Sequence, residues 1–228
     1  MDKIMDAYLE KREAQFKICL SHMEKGVKIW NIEDTYIDES VKIAPGAEIL
    51  PGCILEGNTE IGEDCIIGPR TSLKDCTVKK GATVRETVAD TAEIGEEAKV
   101  GPFSYIRPHS VVGNGCKVGD FVELKNAKLG DGTKVSHLTY VGDAEVGKKV
   151  NFGCGTVTVN YDGKGKYKTI IGDNAFIGCN TNLVSPVEVG EGAYIAAGST
   201  ITDYVPENTL AIARARQVIK ENWKDKRK

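Results

Sequence analysis

Aliphatic residues recur along this chain every six positions. From Ile37 they stand at Ile43, Ile49, Leu55, Ile61, Ile67 and Leu73. The register slips between Lys79 and Thr87 and resumes at Val88, Ile94, Val100, Ile106, Val112, Val118 and Leu124. After single-residue shortenings it continues through Leu129, Val135, Val141, Val146, Phe152 and Thr158. Beyond an insertion it closes with Ile171, Ile177, Leu183, Val189, Ile195 and Ile201. Glycine often follows the aliphatic residue, as at Gly62, Gly113 and Gly178, and the fifth position is small or β-branched, as at Ala47, Cys65, Thr133 and Ala193. One large and one small inward side chain per repeat suits a narrow parallel β-helix with short flat faces and tight corners. The 3.6-residue period of an amphipathic helix is absent from this stretch. Three repeats make a coil of roughly 18 residues, so residues 36–206 predict about nine coils of an all-β solenoid.

The flanks read differently. Between Asp2 and Lys25 apolar pairs fall at helical spacing (Ile4/Tyr8, Met5/Leu9, Phe16/Leu20), with Asp2 as N-cap and Gly26 as stop. Residues 1–35 are therefore expected to form a helical arm that packs on a neighbour. Residues 207–228 carry Arg214, Arg216, Lys220, Lys224, Lys226, Arg227 and Lys228 and form a basic C-terminal arm. Composition agrees with a strand-rich chain: Ile 20 and Val 21 against Leu 10, with Gly 25 of 228 residues. The net charge of -3 argues against a strongly basic nucleic-acid binder, so no nucleic-acid partner is expected. No apolar run approaches membrane-spanning length and no leader-like stretch opens the chain, which predicts a cytoplasmic protein without membrane contact. The 7 cysteines contain no CxxC pair and no metal-ligand spacing; Cys53, Cys65 and Cys116 fall at the small inward position as buried thiols, fitting a reducing compartment.

Winding the coils brings distant residues together. Arg107 is followed one coil later by Lys125, at the strand spacing of about 4.8 Å. Two cations this close call for an intervening carboxylate, such as Glu123, or for a bound phosphate. On the adjacent face one outward column reads Asp120, His137, Cys154, Cys179, Ala197. It is either the floor of a groove ending at His137 or the tight packing that corners need. His137 is one of 3 histidines, beside His22 and His109, and is suited to deprotonation at neutral pH. The insertion Asn160–Thr169 interrupts the coils with glycines, an Asn-Tyr-Asp cluster and Lys164, Lys166 and Lys168, and reads as a loop over an anion or as solvated lysines.

The segments GPFSYIRP, FVELKNAKLG, SHLTYVGDAEVG, NFGCGTVTVNYDG, KYKTIIGDNAFIGCNTNLVSPVEVG and IAAGSTIT closely resemble one family. It comprises the C-terminal acetyltransferase domains of bifunctional N-acetylglucosamine-1-phosphate uridylyltransferase/glucosamine-1-phosphate N-acetyltransferases. The resemblance covers residues 30–214 and implies a left-handed β-helix, a handedness that general chirality rules do not supply. It implies acetyl transfer from acetyl-CoA, without a metal, to the amine of glucosamine-1-phosphate, with His137 as general base. It places Arg107, Lys125, Tyr140, Asn151, Asn160 and Lys166 on the sugar phosphate. Cys154, Tyr161, Cys179, Ala197 and Arg214 would contact acetyl-CoA, and the assembly would be a homotrimer with shared sites. Direct transfer is preferred over an acetyl-cysteine route through Cys154 or Cys179. Nothing resembles the family's N-terminal Gly-rich nucleotide loop, so the UTP- and magnesium-dependent activity is expected to be absent. The competing readings are an acetyltransferase for another amino-sugar, a metal-dependent hydratase and a non-catalytic trimeric scaffold.

Overall fold

The structure, a computed structural model, describes residues 2–224. The cap expected of the Asp2 side chain, and the basic residues Lys226, Arg227 and Lys228, lie outside what is described. Helix α1 (Asp2–Glu24) opens the chain and 28 short strands follow. The strands stack in parallel, each on the equivalent strand of the next coil, into a left-handed parallel β-helix. Eleven strands, from Lys28–Ile29 to Leu210–Ala211, line one face and so bound about ten turns. The other two faces share a 17-stranded sheet, because Glu123–Leu129 and Tyr140–Val146 run through the corner between them.

The repeat works as its chemistry demands. Large inward residues stack in register, as in Ile54–Glu56 on Ser72–Lys74, where Leu55 meets Leu73, or where Ile106 meets Leu124 and Leu124 meets Val141. Leu55, Leu73, Ile106 and Leu124 are fully buried. Truncating any of them to alanine removes packing worth roughly 2–5 kcal/mol. At the small inward position, threonine hydroxyls return to the main chain, Thr133 to the Gly147 carbonyl at 2.8 Å and Thr181 to the Gly178 carbonyl at 2.6 Å. These buried hydroxyls thus stay satisfied inside a thin core, whereas the equally buried Ser110 Oγ has no hydrogen-bond partner. Cys53, Cys65 and Cys116 are buried as expected, and desolvation pushes the Cys53 thiol up to about 11.

Two sequence readings are corrected. Val88 does not point inward: it is exposed, and Ala89 takes the core position between Leu73 and Ile106. The interval from Lys79 to Thr87 is no break but a shortened coil, with Val78 and Val84 buried in place. The hydrogen-bonded ladder also reaches beyond residues 36–206, since Lys28–Ile29 pairs with Glu48–Ile49 and Leu210–Ala211 with Tyr194–Ile195.

Helix α1 caps the first coil through its C-terminal half. Cys19 and His22 are buried there, and Gln15 exchanges two 3.0 Å hydrogen bonds with the Ile37 backbone, as another strand would. Ile4, Met5, Tyr8 and Leu9 stay exposed.

Candidate active site

Two edges of the triangular prism carry the chemistry. At the first, Arg107, Lys125 and Gly142 occupy one outward position on successive coils. The chain turns this corner through Asn126 and Asp143, both in the left-handed region at φ 47°, a conformation that Asn and Asp tolerate. Asp143 is the hub. Its carboxylate accepts from Asn126 Nδ2 (2.7 Å) and Asn160 Nδ2 (2.5 Å) and pairs with Lys125 Nζ (3.4 Å). Partial burial works to raise the Asp143 carboxyl, but the Asn126 and Asn160 hydrogen bonds and the Lys125 charge hold it below its usual range. Asn160 is itself buried, and its amide lies 3.4 Å from Tyr140 Oη. Arg107 pairs with Glu123 at 2.7 Å, so the carboxylate alternative raised from sequence holds for that residue.

Lys125 has a different neighbour. The loop after Asn160 folds back on itself, with Asp162 Oδ1 accepting 2.8 Å bonds from the Lys164 and Gly165 N–H groups. This sets Lys166 within hydrogen-bonding reach of Lys125. That contact and the Lys125 and Arg107 charges push the Lys166 amine below the usual lysine range, while Lys125 is held above it. Three cations (Arg107, Lys125, Lys166) thus meet two carboxylates (Glu123, Asp143), one positive charge in excess. An anion with several oxygens would relieve this repulsion and bring Lys166 fully to its charged form.

At the second edge stands the column read from the sequence. Asp120 pairs with His137 across adjacent strands, and the register of Phe152, Ile177 and Ile195 carries Cys154, Cys179 and Ala197 to the same outward position. Corner hydrogen bonds tie the coils, Leu138 N–H to the Asp120 carbonyl at 3.0 Å and Asn180 N–H to the Cys154 carbonyl at 2.8 Å. His137 Nδ1 lies 2.9 Å from Asp120 Oδ1, and the ring is exposed. Cys154 is half-buried and Cys179 exposed. Arg214 prolongs this edge, its Cδ 3.6 Å from where a Cβ would sit on Gly198.

The residues expected at one site therefore divide within a single chain. Arg107, Lys125, Tyr140, Asn160 and Lys166 gather at the first edge. His137, Cys154, Cys179, Ala197 and Arg214 line the second. Asn151 lies on the 11-stranded face, paired with Lys134 and Phe176. Tyr161 stands exposed on the loop that leaves the first edge, away from the column. Among the described residues no cluster of three or more His, Cys, Asp or Glu is arranged to hold a metal ion. No helix among them is long and apolar enough to cross a membrane.

Comparison with known proteins meets this geometry. The chain matches the bacterial transferase hexapeptide family (six repeats) over residues 40–75, 91–126 and 168–203. It is 54% identical to bifunctional protein GlmU of Geobacillus sp. (strain WCH70) over 99% of its own length and 49% of that protein. It is 57% identical to bifunctional protein GlmU of Clostridium kluyveri over 89% of itself and 44% of the relative. The corresponding protein of Brevibacillus brevis is 53% identical over 97% of this chain and 47% of its own. The chain belongs with the hexapeptide-repeat half of the GlmU proteins. It spans about half the length of these relatives.

Sequence reasoning missed Asp143 and Asn126, which organise the cation edge of this GlmU-like domain, and it passed over Asp120 as a partner of His137. A signal existed for each. Asp143 follows Gly142, the residue one coil beyond Lys125, and Asp120 heads the column that His137 continues.

Proposed function

We propose that this domain transfers the acetyl group of acetyl-CoA to the amine of glucosamine-1-phosphate, giving N-acetylglucosamine-1-phosphate. The observation that carries the reading is the uncompensated cation at the first edge. Lys166 leans on Lys125 with Arg107 nearby, and a sugar phosphate supplies the missing charge. The resemblance to GlmU over nearly the whole chain agrees.

The site residues follow from this. Arg107, Lys125 and Lys166 hold the phosphate, with Tyr140 and Asn160 beside it. The substrate amine lies against His137, and acetyl-CoA runs along Cys154, Cys179 and Ala197 toward the basic Arg214. His137 takes a proton from the amine, nitrogen attacks the thioester carbonyl, the C–N bond forms and the C–S bond breaks. The leaving CoA thiolate recovers the proton from the imidazolium. The Cys154 N–H, which the coil-to-coil hydrogen bonds leave unused, is the donor for the developing oxyanion.

His137 and Gly142 mark the two edges on one coil and lie five residues apart, so up to roughly 16 Å separates them at the strand rise. Amine and phosphate sit on adjacent ring carbons of the substrate, too close for both edges of one chain. A neighbouring copy completes the site, which also gives Asn151 and Tyr161 a place in it, and a homotrimer in the cytoplasm is the assembly we propose.

The test is thiol release from acetyl-CoA by the purified protein, with glucosamine-1-phosphate, glucosamine-6-phosphate or glucosamine as acceptor. Turnover is expected only with the 1-phosphate. Equal turnover with all three assigns another amino-sugar, and no thiol release with any of them supports a scaffold.

A further inference from the structure

His137 is held by more than its own strand. On the preceding coil the Asp120 carboxylate lies 2.9 Å from Nδ1. On the following coil the same column carries the Cys154 thiol, and among the described residues no other charged side chain is paired with the ring. Among the described residues Asp120 in turn has no other ion pair, and the hydrogen bond from His137 holds its carboxyl below the usual carboxylate range. A carboxylate can only accept, so the shared proton sits on Nδ1 and leaves the Nε2 lone pair bare. The parallel ladder fixes this arrangement, because Asp120 and His137 are direct cross-strand partners, Asp120 lying between buried Val118 and Val122 and His137 between buried Val135 and Thr139.

We propose that Asp120 is the positioning residue of the acetyl transfer: it holds the His137 imidazole in the tautomer whose Nε2 accepts the amine proton. This rests on the reading of His137 as the base. When Nε2 takes the proton the ring becomes an imidazolium beside a fixed carboxylate, which stabilises it. When the CoA thiolate takes the proton back, the ring returns to the same tautomer with Nδ1–H still donating to Asp120. Asp120 neither gains nor loses a proton in the cycle.

The experiment compares His137→Ala, Asp120→Asn and Asp120→Ala for kcat, both KM values and the pH profile of kcat/KM. It also titrates the histidine ring nitrogens by NMR, where only 3 histidines need assignment. Asp120→Asn keeps the shape and loses the charge, and its amide can donate to Nδ1. It is expected to lower kcat about 10-fold or more with both KM values little changed. The Nδ1–H tautomer signature should weaken. Asp120→Ala should do the same at least as strongly. If His137→Ala abolishes transfer while both Asp120 variants keep the wild-type rate, pH profile and ring-nitrogen shifts, the positioning role is wrong and the base assignment stands. If His137→Ala retains full turnover, the base assignment itself fails.

Discussion

Replacing Gly142 with alanine separates the fold from the sugar-phosphate site. Its φ is not positive, so an alanine there incurs no left-handed strain. A Cβ at this position would meet no backbone atom first. It would meet the Tyr140 phenol and, at 2.8 Å, the Asn160 amide. Ordinary contact begins near 3.4 Å, so the amide must retreat by about 0.6 Å and the phenol by more. Retreat of Asn160 stretches its bond to Asp143, a hydrogen bond to a charged group worth roughly 1.5–3 kcal/mol when fully broken. A partial loss of about 1–2 kcal/mol lowers Tm by roughly 2–8 °C in a chain of this size. The solenoid survives, because its core residues Leu124 and Val141 do not move. The site does not survive as well: misplacing two substrate-facing groups by this distance costs on the order of 10²-fold in kcat/KM for the sugar phosphate. The KM for acetyl-CoA should stay within a factor of about two. The assay is steady-state thiol release with each substrate varied, next to a thermal melt. A folded Gly142→Ala protein with unchanged kinetics for the sugar phosphate refutes the placement of that substrate over Tyr140 and Asn160. As a contrast, Gly101→Ala drives its Cβ into the Arg85 carbonyl at φ +97° and should cost stability first.

Other consequences are equally open to measurement. Arg107→Ala should raise the sugar-phosphate KM far more than the acetyl-CoA KM, and equal effects on both would contradict the phosphate assignment. Because its neighbours push the Lys166 amine below the usual lysine range, phosphate affinity should fall as pH rises through that lowered value. Calorimetry should show proton uptake on binding at alkaline pH, and Lys166→Met should abolish the uptake. Burial holds His22 below its ordinary value of 6.5, with no hydrogen-bond partner for Nδ1. The unfolded helix therefore binds more protons than the docked one. The stability this contributes is present above about pH 6.5 and is lost as pH falls toward the lower folded value. Hydrogen exchange should find α1 loosening below pH 6.5 ahead of the coils, and His22→Gln should remove the dependence.

Much of this site was legible because the solenoid maps sequence onto space almost linearly. Counting residues per coil was enough to stack Arg107 on Lys125 and to line up His137, Cys154 and Cys179. Where the count failed, at Val88, the cause was a shortened coil, and no local signal distinguishes Val88 from Ala89 as the inward residue. What the count could not reach was the lateral dimension. The partnership of Asp143 with Asn126 and Asn160 depends on side chains turned along the surface at a left-handed corner. The approach of Lys166 to Lys125 depends on the closure of a loop.

The order of the chain alone determined that these residues form a β-helix and which of them share an edge. Period and register are properties of a string, and hydrophobic burial enforces them coil after coil. The folded structure decided how the loop after Asn160 brings Lys166 to the cation edge and how far that edge stands from the histidine. It also decided which carboxylate Arg107, Lys125 and His137 each hold. Those are questions of distance across a face, and the rigid triangular section of the solenoid sets that distance.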